Sequence, residues 1–337
     1  MLTGFAHETG NHCGSTSLRD VSDFNEWGLS EPLCFGIGAG LGFSYIERED
    51  SPTRQFVGRS PWLETGFYDH LGITFEERDG QPFDDAWTDI RTHLDAGRPV
   101  LLFVDIYYLE YFDSDVHFSP HVVVAVGHED DTVLLADSEF DDVQRLPLDQ
   151  LADSLDSDHG FFGPIRNHWL APTGEEPTRP VANAIHDGIA LTTKTMLEPE
   201  SFSFSDASTS TGTHGLAGMR AFGRDLPDWQ ALPDATWCTR FAYQNVEKRG
   251  TGGGAFRGLF APFLDEAAER TDLVTAELAA EAHEIASDWS DIGQSLKRAG
   301  LADEEDEAKA AYEEAGEQVL AVADREEELY RTLRDRL

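Results

Sequence analysis

Lysine is scarce in this chain. Of 337 residues only Lys194, Lys248, Lys297 and Lys309 are lysines, and lysine and arginine together number 25 against 64 aspartates and glutamates, a formal net charge of −39. A surface so short of positive charge repels nucleic acid, whose binding rests on basic contacts to phosphate. Cysteine is scarcer still. Cys13, Cys34 and Cys238 are odd in number and far apart, which argues against a disulfide framework. There is no C-x-x-C pair. His12 beside Cys13, with His7 upstream, is a poor zinc set because adjacent residues rarely chelate one ion, so no metal is expected. No apolar run reaches the length of a membrane span. The N-terminus also lacks the basic-then-apolar order of a signal peptide. The expectation is a cytoplasmic protein with neither nucleic acid nor membrane as partner.

The acids are spread through sequence that otherwise looks foldable, with 40% hydrophobic residues, rather than gathered in a disordered tail. Self-repulsion at this charge destabilises a compact state in dilute buffer. A high-salt cytoplasm, where screening shortens to a few ångströms, reconciles the two. The charge therefore points to a halophilic, archaeal habitat and not to a substrate.

The chemistry begins at Gly10-Asn11-His12-Cys13-Gly14-Ser15-Thr16-Ser17-Leu18. A polar turn followed by apolar spacing at Leu18, Val21 and Phe24 predicts a helix starting at or just after Cys13, with the thiol in its first turn. The partial positive charge and unpaired N–H groups there favour thiolate, the nucleophilic form, and could also hold an oxyanion. His121 opens the β-branched run Val122-Val123-Val124-Ala125-Val126, and Thr132 to Asp137 reads as the next strand of a hairpin, ending in a carboxylate. Cysteine, histidine and aspartate in that order match the nucleophile–base–orienter logic of thiol acyl transfer. Taken singly, each residue is more often structural.

Phe35-Gly36-Ile37-Gly38-Ala39-Gly40-Leu41-Gly42-Phe43 lacks the strand and helix that a dinucleotide loop requires and reads as close backbone packing. Short helices are expected near 62–66, 84–96 and 148–155, and a buried strand over 99–105. Tyr107 and Tyr108 lie in an aromatic loop before the histidine strand, either as core or as a wall of an acceptor pocket. A Pro/Gly/acid linker at 173–177 divides a first domain, 1–172, from a second, 178–337, which is mostly helical. In the second, 201–215 is expected to be a mobile Ser/Thr loop. Two long helical pieces broken at 299–301 suggest an antiparallel pair. Arg249, Gly252, Gly253 and Arg257 frame a glycine-rich turn before a helix, which is either a tight turn or an anion cradle.

The segments His12–Arg19, Leu29–Phe43 and Asp105–Leu109, with the His121–Asp137 hairpin, resemble the N-terminal domain of the butirosin biosynthesis protein H family. The region around Glu247–Arg257 resembles an uncharacterised domain that often follows it. The resemblance implies an α+β fold, a papain-like cysteine-peptidase-type domain with a mostly helical second domain. It also implies transfer of an acyl group from a carrier protein to an amine in secondary metabolism. The donor would then be an acyl carrier protein or acyl-CoA thioester and the acceptor a small amine, with no bound cofactor beyond the donor's phosphopantetheine. Cys13, His121 and Asp137 would be catalytic. Such sites use an amide side chain upstream of the cysteine for the oxyanion; no glutamine stands there, which leaves Asn11 or His7. The arginines of the glycine turn would hold the donor's phosphate or a substrate carboxylate, and one of them would line the Cys13 cleft. A hydrolase with the same triad, or a binding module without catalysis, remain the alternatives.

The charge reading predicts that the melting temperature rises steeply between about 0.1 M and 2 M KCl, as the Debye length falls from about 10 Å to a few ångströms. A melting temperature flat over that range rules it out.

Overall fold

The computed structural model describes residues 1–160, 163–202 and 211–337. The chain is α+β with antiparallel sheets and divides into two compact units. One comprises Met1–Cys34 and Tyr68–Pro180, the other Phe35–Phe67 and Val181–Leu337.

The first unit is built on a six-stranded sheet. In chain order its strands are β3 (Phe75–Arg78), β4 (Val100–Val104), β5 (His121–Glu129), β6 (Thr132–Ala136), β7 (Gln144–Pro147) and β8 (Trp169–Pro172). Their order across the sheet is β3-β8-β4-β5-β6-β7, every pairing antiparallel. β4 and the first seven residues of β5 are wholly buried, as expected of unbroken apolar runs covered on both faces. On one side Val100, Leu102, Val104, Val123 and Ala125 pack with helices α4 (Phe83–Asp95) and α5 (Leu148–Leu155) through Trp87, Ile90, Leu94, Leu151 and Leu155. Helix α1 (Cys13–Phe24) packs on β5 through its buried face, which includes Leu18 and Val21. The expected Cys-to-His geometry is thus set by one helix lying on one strand.

The second unit combines a three-stranded sheet with helices. Strands β1 (Leu41–Glu47) and β2 (Arg54–Arg59) form a hairpin, and β9 (Thr211–His214) adds to the free edge of β1. The helices are α6 (Val181–Leu197), α7 (Gly215–Asp225), α8 (Ala235–Glu247), α9 (Arg257–Arg270), α10 (Ala276–Leu301) and α11 (Glu305–Asp335). The hairpin's Phe43 and Phe56 rings lie within 5.1–6.1 Å of Phe222 and Trp289. The linear division expected at 173–177 therefore describes only one junction. Residues 35–67, read as part of the first domain, pack with the C-terminal half because their apolar side chains complete its core. Of the 201–215 stretch, 203–210 lie outside the described residues and 211–214 form β9.

Helices α10 and α11 form the expected antiparallel pair, with cross-links running in opposite directions along the two chains: Arg325 to Glu281 and Asp288, Ser295 to Gln318, and Arg298 to Glu314. The first expected long helical piece is two helices. Thr271 closes α9 by bonding back to Ala267, and the Thr275 hydroxyl caps α10 by accepting from Leu278 N. The helix expected at Ala255 starts at Arg257, since Ala255 and Phe256 sit at φ 51° and 73°. The glycine run does serve close packing. A Cβ on Gly36 would fall 2.1 Å from the Phe263 ring.

A charged cluster lies inside this unit. Arg257, 2% exposed, is held by both oxygens of Glu326 at 2.9 and 2.8 Å, and Glu326 also accepts from Trp289 Nε1 (2.7 Å) and Tyr330 Oη (2.7 Å). Removing one partner of such a pair strands a charge in apolar surroundings. Arg257→Met is expected to cost about 3–5 kcal/mol by urea unfolding, and the double variant with Glu326→Met to regain most of it. Equal losses in the single and double variants would contradict this account.

Candidate active site

The turn into α1 is organised by a carboxylate that the sequence reading passed over. Glu31, 6% exposed, accepts the backbone N–H groups of Asn11 (3.0 Å) and His12 (2.9 Å), the Asn11 side-chain amide (3.1 Å), and the hydroxyls of Ser15 (3.1 Å) and Thr16 (3.0 Å). His12 is the N-cap, with extended backbone, and its Nδ1 accepts from Ser15 N at 3.2 Å. Capping by a side chain satisfies one of the amides a helix start leaves open. Cys13 and Gly14 are the first two residues of the helix, and among the described residues their amides have no hydrogen-bond partner, so two open N–H groups mark its positive end.

His121 begins β5, opposite Val104 of β4. Its Nε2 lies 3.0 Å from each oxygen of Asp137, the residue that follows β6. That leaves Nδ1 on the side away from Asp137, and the Cys13 and His121 side chains lie near enough for each to shift the other's proton affinity. Asp137 is wholly buried and further held by Tyr111 Oη (2.9 Å) and the Glu139 amide (3.2 Å). The edge of Phe112 meets the His121 ring at 5.6 Å.

The charges follow from these contacts. Burial alone would push the Cys13 thiol up, but the His12 ring and then the His121 ring outweigh it and hold the thiol well below its ordinary value. Burial would lower His121, yet the adjacent Asp137 carboxylate, with the Cys13 hydrogen bond, carries it well above the usual imidazole range. Asp137 is lowered in turn: its burial is overcome chiefly by His121. Tyr111 is pushed far up by burial and by Asp137, which keeps it a donor. The resting state this supports is thiolate and imidazolium, with the carboxylate orienting the ring.

Several expected site residues do other work. His7 donates through Nε2 to the carbonyls of Asp137 (3.0 Å) and Phe140 (2.8 Å), while Nδ1 meets Asp20 at 2.5 Å. Both nitrogens are engaged in tying the turn after β6 to α1, and the ring is not available to an oxyanion. The Asn11 amide is held by Glu31. Tyr107 stacks on His117 at 4.1 Å and Tyr108 meets that ring edge-on; from the same aromatic loop it is Tyr111 and Phe112 that reach the triad. His117 pairs with the buried Asp105 (2.7 Å) and His128 with Asp95 (3.0 Å), so neither substitutes for His121. Arg257 is sealed inside the second unit on Glu326, which corrects its expected place at a cleft wall. Arg249 lies over the Phe241 ring at 4.3 Å and bonds Gln244. Gly252 and Gly253, at φ 65° and 84°, form a turn that only glycine adopts readily, with the Gly253 amide donating to the Thr251 hydroxyl. That favours the tight-turn reading over the anion cradle.

A thiol at a helix start, an imidazole at a strand start and a carboxylate closing the paired strand define this unit as a cysteine–histidine–aspartate α+β domain. Residues 12–138 match the family model for Butirosin biosynthesis protein H, N-terminal, and residues 151–333, more than half of the chain, match DUF4872, a domain of unknown function. The chain belongs to the family in which these two domains follow one another, which relates it to biosynthetic enzymes. No curated protein matches it. No helix among the described residues is long and apolar enough to cross a membrane.

A lowered thiol pKa keeps the thiolate populated as pH falls, so alkylation of Cys13 by iodoacetamide should hold its rate to lower pH than that of an unperturbed thiol, which loses reactivity about tenfold per unit below about pH 8.5. Peptide mass spectrometry reads this directly. In His121→Ala the fall should begin at higher pH, and faster labelling of Cys34 or Cys238 than of Cys13 would defeat the assignment.

Proposed function

We propose that the protein is a papain-like acyltransferase that carries an acyl group on Cys13. The observation that carries this reading is the thiol–imidazole–carboxylate line in the chain order cysteine, histidine, aspartate, with the thiol held as thiolate. The Cys13 sulfur attacks the carbonyl carbon of a thioester, and a carbon–sulfur bond forms. The donor thiol leaves with the proton from His121. An amine then attacks the acyl-enzyme, gives its proton to His121, and expels the Cys13 thiolate. Exchange of one thioester for another is nearly isoenergetic, which suits a donor carried on a phosphopantetheine arm, from acyl carrier protein or coenzyme A.

Two features support the details. The Cys13 and Gly14 amides, with the His12 ring, would stabilise the oxyanion in place of an upstream amide side chain. With Nδ1 taken up by the Ser15 amide, Nε2 is the nitrogen through which His12 would donate. Glu139 lies near enough to His121 and Cys13 for their charges to interact, and its carboxyl is raised by burial and by the Asp137 and Cys13 anions against the lowering effect of His121. A carboxylate there would draw a cationic amine toward the site, where the amine becomes the nucleophile once it has given its extra proton to solvent.

The test is to incubate the protein with an acyl-pantetheine thioester and a primary amine and weigh the products. Amide and a Cys13-linked acyl intermediate are expected. Free acid alone would make the protein a hydrolase, and no turnover with unlabelled Cys13 a binding module. His12→Ala should lower the acylation rate by about 10²–10³, the cost of one lost oxyanion donor, and Asn11→Ala far less. Equal effects of the two would return the oxyanion role to Asn11.

A further inference from the structure

We propose that the second unit carries a binding site for a soluble phosphorylated small molecule, in a cavity between α7, α11 and the end of α6. The cavity is about 540 Å³ and is lined by four arginines: Arg220 and Arg224 on α7, and Arg331 and Arg334 on α11. This concentration is out of keeping with the chain, in which acids outnumber bases by 64 to 25. Within the lining the ratio reverses, four arginines to the three acids Glu198, Glu200 and Glu327.

The ion pairs engage three of the four guanidiniums. Arg220 meets Asp324 at 2.7 Å and Glu327 at 2.5 Å, and Glu327 is shared with Arg331. Arg334 meets Glu198 at 3.1 Å. Arg224 has no ion pair or hydrogen bond among the described residues, although it follows Arg220 by one helical turn, where like charges repel. Arg224, one turn from Arg220 and beside Arg331 and Arg334 in the lining, is the guanidinium that an anion would satisfy. Guanidinium forks bind phosphate oxygens two at a time, and several converging forks fit a group with many oxygens and more than one charge better than they fit a carboxylate. The volume falls in the range of small-molecule sites, about 300–1,000 Å³. The net charge of −39 disfavours an anionic membrane as the source of that phosphate. The site stands on these residues alone and is independent of the chemistry at Cys13.

The experiment is isothermal titration calorimetry of the full chain with sodium pyrophosphate at fixed ionic strength. Saturable binding at one site is expected, weakened at least about tenfold in Arg224→Gln and in Arg334→Gln and unchanged in Arg270→Gln. Arg224 is exposed and unpaired, so its replacement leaves the fold intact, which a thermal melt verifies. Absence of saturable heat, or equal affinity in the Arg224→Gln and Arg334→Gln proteins, overturns the site. Sedimentation with phosphatidylglycerol vesicles by a protein that ignores pyrophosphate overturns it as well.

Discussion

The candidate site depends on the Glu31 carboxylate. Two backbone N–H groups, one side-chain amide and two hydroxyls converge on its oxygens, drawn from the turn before α1 and from the helix's first turn. In a buried setting each such bond to a charge is stronger than in water, and leaving the charge unsatisfied would be costly. The carboxylate therefore fixes where the helix starts. It occupies the amides of Asn11 and His12, and the next two amides, those of Cys13 and Gly14, are the ones left open at the helix start.

A second carboxylate does the corresponding work on the other side. Asp137 receives the His121 ring, the Tyr111 hydroxyl and the Glu139 amide, so its orientation is fixed from three directions. His7 then links the backbone of this turn to α1 through Asp20. Its own affinity for a proton is raised: burial opposes this, but the Asp20 contact and the carbonyls of Phe140 and Asp137 prevail. Helix α1, which starts at Cys13, and the hairpin that starts at His121 are thus joined by a staple of side chains as well as by the packing of Leu18 and Val21 beneath.

The placing of Cys13, His121 and Asp137 was legible in the sequence because each sits at an element boundary, where local signals are strongest. A turn precedes Cys13, a β-branched run follows His121, and a strand ends at Asp137. Glu31 was not legible. It reads as an ordinary acid opening a helix, and nothing local shows that its oxygens point at a turn 20 residues earlier. His12 was visible only as Cys13's neighbour, and its capping geometry emerges once the backbone is placed. Arg257 misled for the complementary reason. An arginine beside glycines looks like an anion contact, and its carboxylate partner lies 69 positions away on another helix. Strands β4, β5 and β6 and helices α4, α5, α10 and α11 followed from periodicity, whereas β3, β7 and the destination of residues 35–67 did not. Alternation shows that a hairpin has an apolar face, but not which core receives it.

That destination has a consequence for how the chain is made. A ribosome releases residues 35–67 early, yet the partners of Phe43 and Phe56 at Phe222 and Trp289, and the strand β9 that covers the edge of β1, emerge only some 150 residues or more later. At the usual pace of synthesis, about 5–20 residues per second, the hairpin spends on the order of ten seconds with its apolar face and one edge unclaimed. The nascent chain must carry a folded or folding first unit with this segment looped out of it. Glu47, Glu49 and Asp50 lie in the hairpin itself, and like charges on an open edge disfavour its pairing with another copy.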